Sequence, residues 1–130
     1  QKRKIKMVFL VPLTLFEALI FTHFVVDWIF QWREALYKTK KFLSLLFHSV
    51  IYTLGFIPVF LIYHLNFIWL LLLFISHMTI DQGKIRLWIL EKFKRVKSEE
   101  IERPLWWILI IGIDQTLHII ILAIIAIVRI

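Results

Sequence analysis

Every aspartate of the chain lies four residues from a histidine, and this pairing is the strongest chemical signal in the sequence. The three pairs are His23 with Asp27, His77 with Asp81, and Asp114 with His118. Residues four apart share one face of an α-helix, so each pair would direct an imidazole and a carboxylate to the same place. Because ionisable groups are costly to bury among apolar helices, each pair indicates a functional site.

A further histidine, His48, lies in a separate apolar stretch and can join the same site. Counted at about 1.5 Å per residue from one side of an up-down bundle, the polar groups of the four helices lie at similar depths. Together they exceed the ligand number of one tetrahedral zinc ion. They suit a divalent metal bound as a carboxylate-bridged pair of Zn, Mn or Fe ions with positions left for water. The predicted metal ligands are His23, Asp27, His48, His77, Asp81, Asp114 and His118.

Three other roles for the same residues stay open. Histidines within apolar helices could ligate a b-type haem, although haem ligation does not require an aspartate one turn away. The residues could also form a proton or ion pathway, or a hydrogen-bonded network that holds the helices together. The mixture of imidazole and carboxylate, without a soft ligand, favours the metal site.

Three more polar residues lie next to the predicted ligands and could orient them or contact a substrate. Gln31 continues the first histidine–aspartate stripe, and Gln115 lies in the last pair's helix. Both could support the ligands, or they could be ordinary amides near helix ends. Lys84 follows Asp81 by three residues and could contact a substrate phosphate, form a local salt bridge or anchor its helix at the membrane surface.

The elements that position these groups are predicted to be membrane-spanning helices. Of the 130 residues, 61% are hydrophobic, and the mean hydropathy is +0.83, which is far more apolar than a typical soluble domain. No long alternating pattern indicates strands, so we expect an all-α membrane protein. The predicted single domain, residues 1–130, is a four-helix transmembrane bundle with helices at about 7–32, 42–65, 67–84 and 105–128.

A basic amphipathic helix is predicted between the third and fourth transmembrane helices, at about 85–97. Apolar residues recur there at helical spacing with lysines and arginines between them, which is typical of a helix in the membrane interface. With the net charge of +7, this favours the lipid bilayer and anionic lipid headgroups as partners, and not nucleic acid. The basic connections are expected in the cytoplasm and both termini outside.

Two other classes of small protein are disfavoured by the sequence. The absence of cysteine excludes disulfide frameworks and thiolate metal sites. The first apolar stretch is not expected to be a signal peptide, because Glu17, His23 and Asp27 interrupt it and no small-residue cleavage site follows.

The order and spacing of these motifs resemble a bacterial integral membrane family catalogued as domain-of-unknown-function 3307. The resemblance covers roughly Leu13 to the C-terminus. It rests on an H-x-x-x-D-x-x-x-Q motif (His23, Asp27, Gln31) with a lysine near Lys38, on His48, on an H-x-x-x-D-x-x-K motif (His77, Asp81, Lys84) and on a D-Q-x-x-H motif (Asp114, Gln115, His118). It implies the architecture, the ligands and a multi-pass location in the bacterial inner membrane. The family has no assigned activity, and only a looser similarity of motif style links it to membrane-bound metal-dependent hydrolases.

Three functions are compatible with these patterns. The first is a metal-dependent hydrolase acting on a lipid-linked or phosphorylated substrate, which the basic connections would attract. The second is a divalent-cation or proton-coupled transporter, for which a homo-oligomer is expected because four helices leave little room for a pore. The polar groups concentrate toward one side of the membrane, which disfavours it. The third is a structural or accessory membrane subunit with a buried Asp/His network.

Overall fold

The computed structural model describes residues 13–29, 41–95, 97 and 104–128, with the side chains of the last range from residue 106 onward. These residues form helices joined by turns, and no strand occurs among them, as predicted. Parts of three predictions lie outside the described residues. They are the two ends of the first helix at 7–12 and 30–32, residue 96 of the amphipathic helix, and the motif residues Gln31 and Lys38.

The first helix, α1 (Leu15–Phe24), begins at a capping box and continues into a π-helical turn, Val25–Ile29. The Thr14 hydroxyl accepts a hydrogen bond from the Glu17 N–H at 3.3 Å, and the Glu17 carboxylate accepts one from the Thr14 N–H at 2.7 Å. These bonds satisfy backbone donors that the start of a helix leaves without partners. The π-helical turn contains Asp27, and such turns frequently occur at functional sites.

The second predicted helix is broken near its middle. The structure has α2 (Phe42–Gly55) and α3 (Ile57–Ile62), which meet at Phe56. Pro58 lies at the start of α3, where it has no N–H to donate to the preceding turn and its ring displaces that turn's carbonyl. Despite the break, the two helices form one apolar segment of 21 residues.

The third helix ends earlier than predicted. It spans Ile68–Asp81 (α4) and not 67–84, because Gly83 adopts a left-handed conformation with φ 86°. Glycine reaches this conformation without steric cost, so the chain can turn here. A separate helix, α5 (Lys84–Phe93), follows and ends short of the predicted residue 97. Lys84 therefore begins α5 and does not share a helix face with Asp81.

The last helix, α6 (Pro104–Val128), has 25 residues and is the longest among the described residues. Two segments among the described residues are long and apolar enough to cross a membrane, Phe42–Ile62 and Trp106–Val128. With 14 residues, α4 is about 21 Å long, short of a hydrocarbon core of about 30 Å. The structure thus bears out an all-helical fold with two candidate spans, and not clearly the four that were predicted.

The helices pack in a ring in which α4 contacts α2 and α6, α6 contacts α1, and α2 contacts the π-helical turn. One end of this bundle, here called the apolar end, has a hydrophobic core. Its buried side chains include Leu15, Leu19, Phe56, Phe60, Leu73, Leu122 and Ile125. The opposite end, here called the polar end, contains the C-terminal parts of α1 and α4 and the N-terminal parts of α2 and α6, which bring the histidines and aspartates together.

Candidate metal centre

All seven predicted ligands are buried at the polar end, with exposed fractions between 0% and 7%. They come from α1, the π-helical turn, α2, α4 and α6, so that each of the four packed helices contributes. The prediction that these residues meet in one layer holds for their positions. Whether they bind a metal depends on how their nitrogen and oxygen atoms face one another.

The first ligand group consists of Asp27, His48, His77 and Asp81. One donor atom from each lies within 4.8 Å of all the others. His48 Nε2 is 3.0 Å from Asp27 Oδ1 and 3.3 Å from Asp81 Oδ2, so this nitrogen lies between the two carboxylates. His77 Nε2 is 3.2 Å from Asp81 Oδ2. Two imidazoles and two carboxylates are thus directed at one small volume.

A second ligand group, Asp81, Asp114 and His118, meets the same distance limit and shares Asp81 with the first. His118 Nε2 lies 3.6 Å from Asp81 Oδ1, whereas the first group uses Oδ2 of the same carboxylate. Its Nδ1 lies 3.9 Å from Asp114 Oδ2. A carboxylate with one oxygen in each group has the arrangement required to bridge two divalent ions.

Hydrogen bonds fix which nitrogen carries a proton in two of the imidazoles. His118 Nδ1 lies 2.9 Å from the backbone carbonyl of Asp114, which can only accept, so Nδ1 carries the hydrogen. In neutral His118, Nε2 is then an acceptor, and it receives a bond of 2.8 Å from His77 Nδ1. Neutral His77 therefore has no hydrogen on Nε2.

This assignment leaves two electron-rich atoms facing each other. His77 Nε2, which has no hydrogen in this neutral assignment, is 3.2 Å from a carboxylate oxygen of Asp81. Ligands bound to one ion at 2.0–2.2 Å lie roughly 2.8–3.6 Å apart at coordination angles between 90° and tetrahedral. The ligand-atom separations of 3.0–3.6 Å fit that range. The donor set therefore fits a divalent cation.

His23, also predicted as a ligand, is not brought into either group. Gln115 Nε2 donates to Asp27 Oδ2 at 3.2 Å and to Asp114 Oδ2 at 3.3 Å, so its Oε1 is the atom that faces His23. His23 Nε2–H donates to that oxygen at 2.9 Å, and its Nδ1 accepts from the Tyr52 hydroxyl at 2.9 Å. Both nitrogens are occupied, and His23 belongs to a chain that orients the carboxylates.

The supporting residues partly match the prediction. Gln115 contacts two predicted ligands, as expected for a residue that orients them. Lys84 is exposed at the start of α5, and Gln31 lies outside the described residues. The cation that contacts the ligand groups is Arg86, whose NH1 donates to Asp114 Oδ1 at 2.7 Å. Sequence analysis missed Arg86 because the third helix was expected to end at about residue 84 and Arg86 was assigned to the basic interfacial helix at about 85–97.

Tyr52 was also missed. Its ring is fully buried and stacks on the His77 ring with centroids 3.6 Å apart, while its hydroxyl contacts His23. The signal that could have found it is its position four residues after His48, on the same face of α2. A tyrosine buried in an apolar helix needs a partner for its hydroxyl, and here that partner belongs to the site.

Comparisons with known proteins identify a family. No curated protein and no solved structure matches the chain. A family described as "Protein of unknown function (DUF3307)" matches residues 15–130, which include all seven predicted ligands together with Tyr52, Arg86 and Gln115. Because this match extends over nearly the whole chain, the protein belongs to the DUF3307 family.

Proposed function

We propose that the protein is a multi-pass membrane protein that binds divalent metal ions and uses them to hydrolyse a lipid-linked or phosphorylated substrate. The observation that carries this proposal is the pair of ligand groups that share Asp81. The first group contains a bare imidazole nitrogen facing a carboxylate oxygen, an arrangement that a bound cation stabilises.

The distribution of apolar side chains supports a membrane environment. Large hydrophobic residues are strongly exposed on every long helix, for example Phe21 (65%), Ile62 (70%), Ile108 (69%) and Ile127 (81%), whereas histidines and aspartates are buried inside. A soluble protein rarely exposes so much contiguous apolar surface. The basic helix α5 lies at the polar end, because it follows the end of α4. It would contact anionic headgroups there, next to the site.

The residues of the site have separable tasks in this proposal. Asp27, His48, His77 and Asp81 would hold one ion, and Asp81, Asp114 and His118 a second. Bound divalent ions supply a hydroxide-like nucleophile and polarise a phosphoryl or acyl oxygen. The backbone carbonyl of Asp114 holds a hydrogen on His118 Nδ1. To bind the second ion, His118 Nε2 would exchange its hydrogen bond from His77 Nδ1 for the metal. Gln115, His23 and Tyr52 hold the carboxylates in position.

The apolar end disfavours transport through a single copy of the chain. Phe56, Phe60, Leu122 and Ile125 are at most 1% exposed and fill the interior there. An ion released from the polar end would meet an interior that the described residues fill with mainly apolar side chains, and losing its water there is costly. A site that opens only toward one membrane surface suits an enzyme better than a carrier.

The decisive experiment measures the metal content of the detergent-solubilised protein by elemental mass spectrometry, after purification without metal-affinity resin. We expect one or two equivalents of Zn, Mn or Fe, and we expect Asp81→Asn to lose them because both groups depend on this residue. The matched control is His64→Asn. It removes an exposed histidine at the apolar end, where φ is 52° and asparagine is tolerated.

Three outcomes separate the hypotheses. Full metal content in Asp81→Asn would overturn the ligand assignment, and a folded wild-type protein without metal would leave the structural network as the better explanation. If metal is bound, the loaded protein is assayed for product release from a panel of phospholipids and phosphate esters. Metal binding without hydrolysis, but with cation flux into proteoliposomes that His77→Ala abolishes, would favour the transporter.

A further inference from the structure

Arg86 brings a permanent positive charge to the edge of the ligand set. Its NH1 donates to Asp114 Oδ1 at 2.7 Å, and Asp114 belongs to the second ligand group. The Arg86 side chain is 16% exposed, whereas the ligands of the first group are at most 3% exposed. The guanidinium therefore lies between the buried groups and the outside, where an entering substrate would meet it.

The turn at Gly83 makes room for this guanidinium. A Cβ atom at Gly83 would lie 2.9 Å from Arg86 NH2 and 3.2 Å from Nε, closer than side chains normally approach. The planar group is thus packed against the turn that joins α4 to α5, two residues beyond Asp81. The bond to Asp114 uses one of five N–H donors, and a guanidinium can present the others as a fork to two oxygens of one phosphate.

The charge of the ligand set also favours an anion. Asp27, Asp81 and Asp114 carry three negative charges, which one divalent ion and Arg86 would balance. A second divalent ion leaves the buried site with excess positive charge, which is costly in a low-dielectric interior until an anion enters. Phosphate is the anion that divalent ions and a planar arginine fork recognise together.

We propose that Arg86 binds the phosphate group of the substrate, and that the substrate class is a phosphate monoester or diester. This inference rests on the proposed metal-dependent hydrolase, because the second ion creates the need for the anion. A phosphate group is present both in a phospholipid headgroup and in a soluble phosphate ester. The experiment therefore uses one probe for each of these two sources.

Lys84 provides a matched control for Arg86. It carries the same charge, lies two residues earlier in α5 and is exposed, and it makes no hydrogen bond or ion pair within the described part of the chain. A general attraction of phosphate to the basic helix would weaken equally in Arg86→Gln and Lys84→Gln. A specific contact at the ligand set would weaken only in the first.

The test measures Mn²⁺ binding by electron paramagnetic resonance, and then the binding of two phosphate probes to the Mn²⁺-loaded protein in detergent. One probe is inorganic phosphate, and the other is phosphatidic acid in doped micelles. Binding of either probe is detected as broadening of its ³¹P resonance by the bound Mn²⁺. We expect Arg86→Gln to keep Mn²⁺ and to bind at least one probe about 10- to 100-fold more weakly. Lys84→Gln should match the wild type within about twofold, as expected for an exposed charge.

Binding of inorganic phosphate supports a soluble source, and binding of phosphatidic acid alone supports a lipid source. Equal binding by wild type and Mn²⁺-loaded Arg86→Gln would overturn the role of Arg86 while leaving the metal site intact, as would wild-type protein that binds Mn²⁺ but neither probe. If Arg86→Gln does not fold, Arg86→Lys keeps the charge against Asp114 but lacks the fork, and unchanged phosphate binding in it would be equally decisive against the proposal. Wild-type protein that binds none of Mn²⁺, Zn²⁺ and Fe²⁺ would overturn the proposed function itself.

Discussion

The two ends of the helical bundle bury opposite kinds of side chain, apolar at one end and ionisable at the other. At the apolar end, Phe56, Phe60, Leu73, Leu122 and Ile125 are almost fully buried against one another, and the interior contains no ionisable group among the described residues. At the polar end, four histidines and three aspartates occupy the same layer. The same helices form both ends, so the difference lies in which side chains each half of a helix directs inward.

This difference indicates a division of labour, in which one end stabilises the fold and the other holds the candidate site. Close packing of large apolar side chains stabilises one arrangement of the helices, because interdigitated side chains make many favourable contacts that a looser arrangement loses. Buried carboxylates and imidazoles do not stabilise a bundle efficiently, since removing them from water costs more than their pairing returns. We therefore expect the apolar end to provide most of the stability and the polar end to provide the chemistry.

Truncation at the apolar end should have the largest effect on folding. We expect Phe60→Ala to lower the free energy of unfolding in detergent by about 3 kcal/mol, because it leaves a cavity in the most tightly packed region. Leu61→Ala, at an exposed neighbouring position in α3, should cost no more than about 0.5 kcal/mol. Both are measured by denaturant titration.

The metal content of the folded fraction decides whether the two ends are separable. Phe60→Ala should retain the wild-type stoichiometry, because Phe60 contacts no predicted ligand. A loss of metal in the folded fraction would show that the apolar end also determines the geometry of the ligands, and the division of labour would be wrong.

Much of the polar end could be predicted from the sequence, because its signal is local. A histidine and an aspartate four residues apart must share a helix face, and the three pairs with His48 were sufficient to identify residues that the structure brings together. The all-helical fold followed from hydrophobicity and from the scarcity of glycine and proline.

The remaining features of the site depend on contacts between distant parts of the chain, which the spacing of residues along one helix does not reveal. Gly83 ends α4 by adopting φ 86°, and this redirects Arg86 toward Asp114, a residue 28 positions away. The π-helical turn changes the direction of Asp27 within a sequence that resembles an ordinary helix. His23 was predicted as a ligand because it pairs with Asp27, but Tyr52 and Gln115 from two other helices occupy its nitrogens.

A smaller effect is expected at Tyr52, which lies where the two ends meet. Its ring packs with Phe56 of the apolar core and stacks on His77 of the first ligand group. Tyr52→Phe keeps both ring contacts but leaves His23 Nδ1 without its donor. We expect metal affinity to fall by about 10-fold, the lower end of the range for residues that orient ligands, with stoichiometry unchanged.

Tyr63→Phe is the matched control for Tyr52→Phe in the same titration. It also removes a tyrosine hydroxyl's hydrogen bond, here to the carbonyl of Leu13 at the apolar end, away from both ligand groups. Equal losses of metal affinity in the two variants would mean that general loosening, and not the chain from Tyr52 to the carboxylates, accounts for the effect.

The smallest effect on stability is expected from Asp81→Asn in metal-free protein, and here we expect the substitution to stabilise the fold. With its amide nitrogen in the place of Oδ2, asparagine can donate to His77 Nε2, which lies 3.2 Å from that oxygen. His48 Nε2 can keep its bond to Asp27 Oδ1 at 3.0 Å. The substitution also removes one of two negative charges that face His48. We therefore expect the variant to unfold at higher denaturant concentration than wild type, a gain of about 0.5–2 kcal/mol of the kind seen when a functional site is disabled.

Asp114→Asn provides the contrast within the same cluster. Asp114 accepts hydrogen bonds from Arg86 and Gln115, so its replacement leaves a partly buried guanidinium without a counter-charge and should lower stability. Opposite signs in metal-free protein would identify Asp81 as a residue placed for a cation and Asp114 as one that already has its partner. If Asp81→Asn destabilises the protein as Asp114→Asn does, the polar end is a structural network, and the contrast between the two ends disappears.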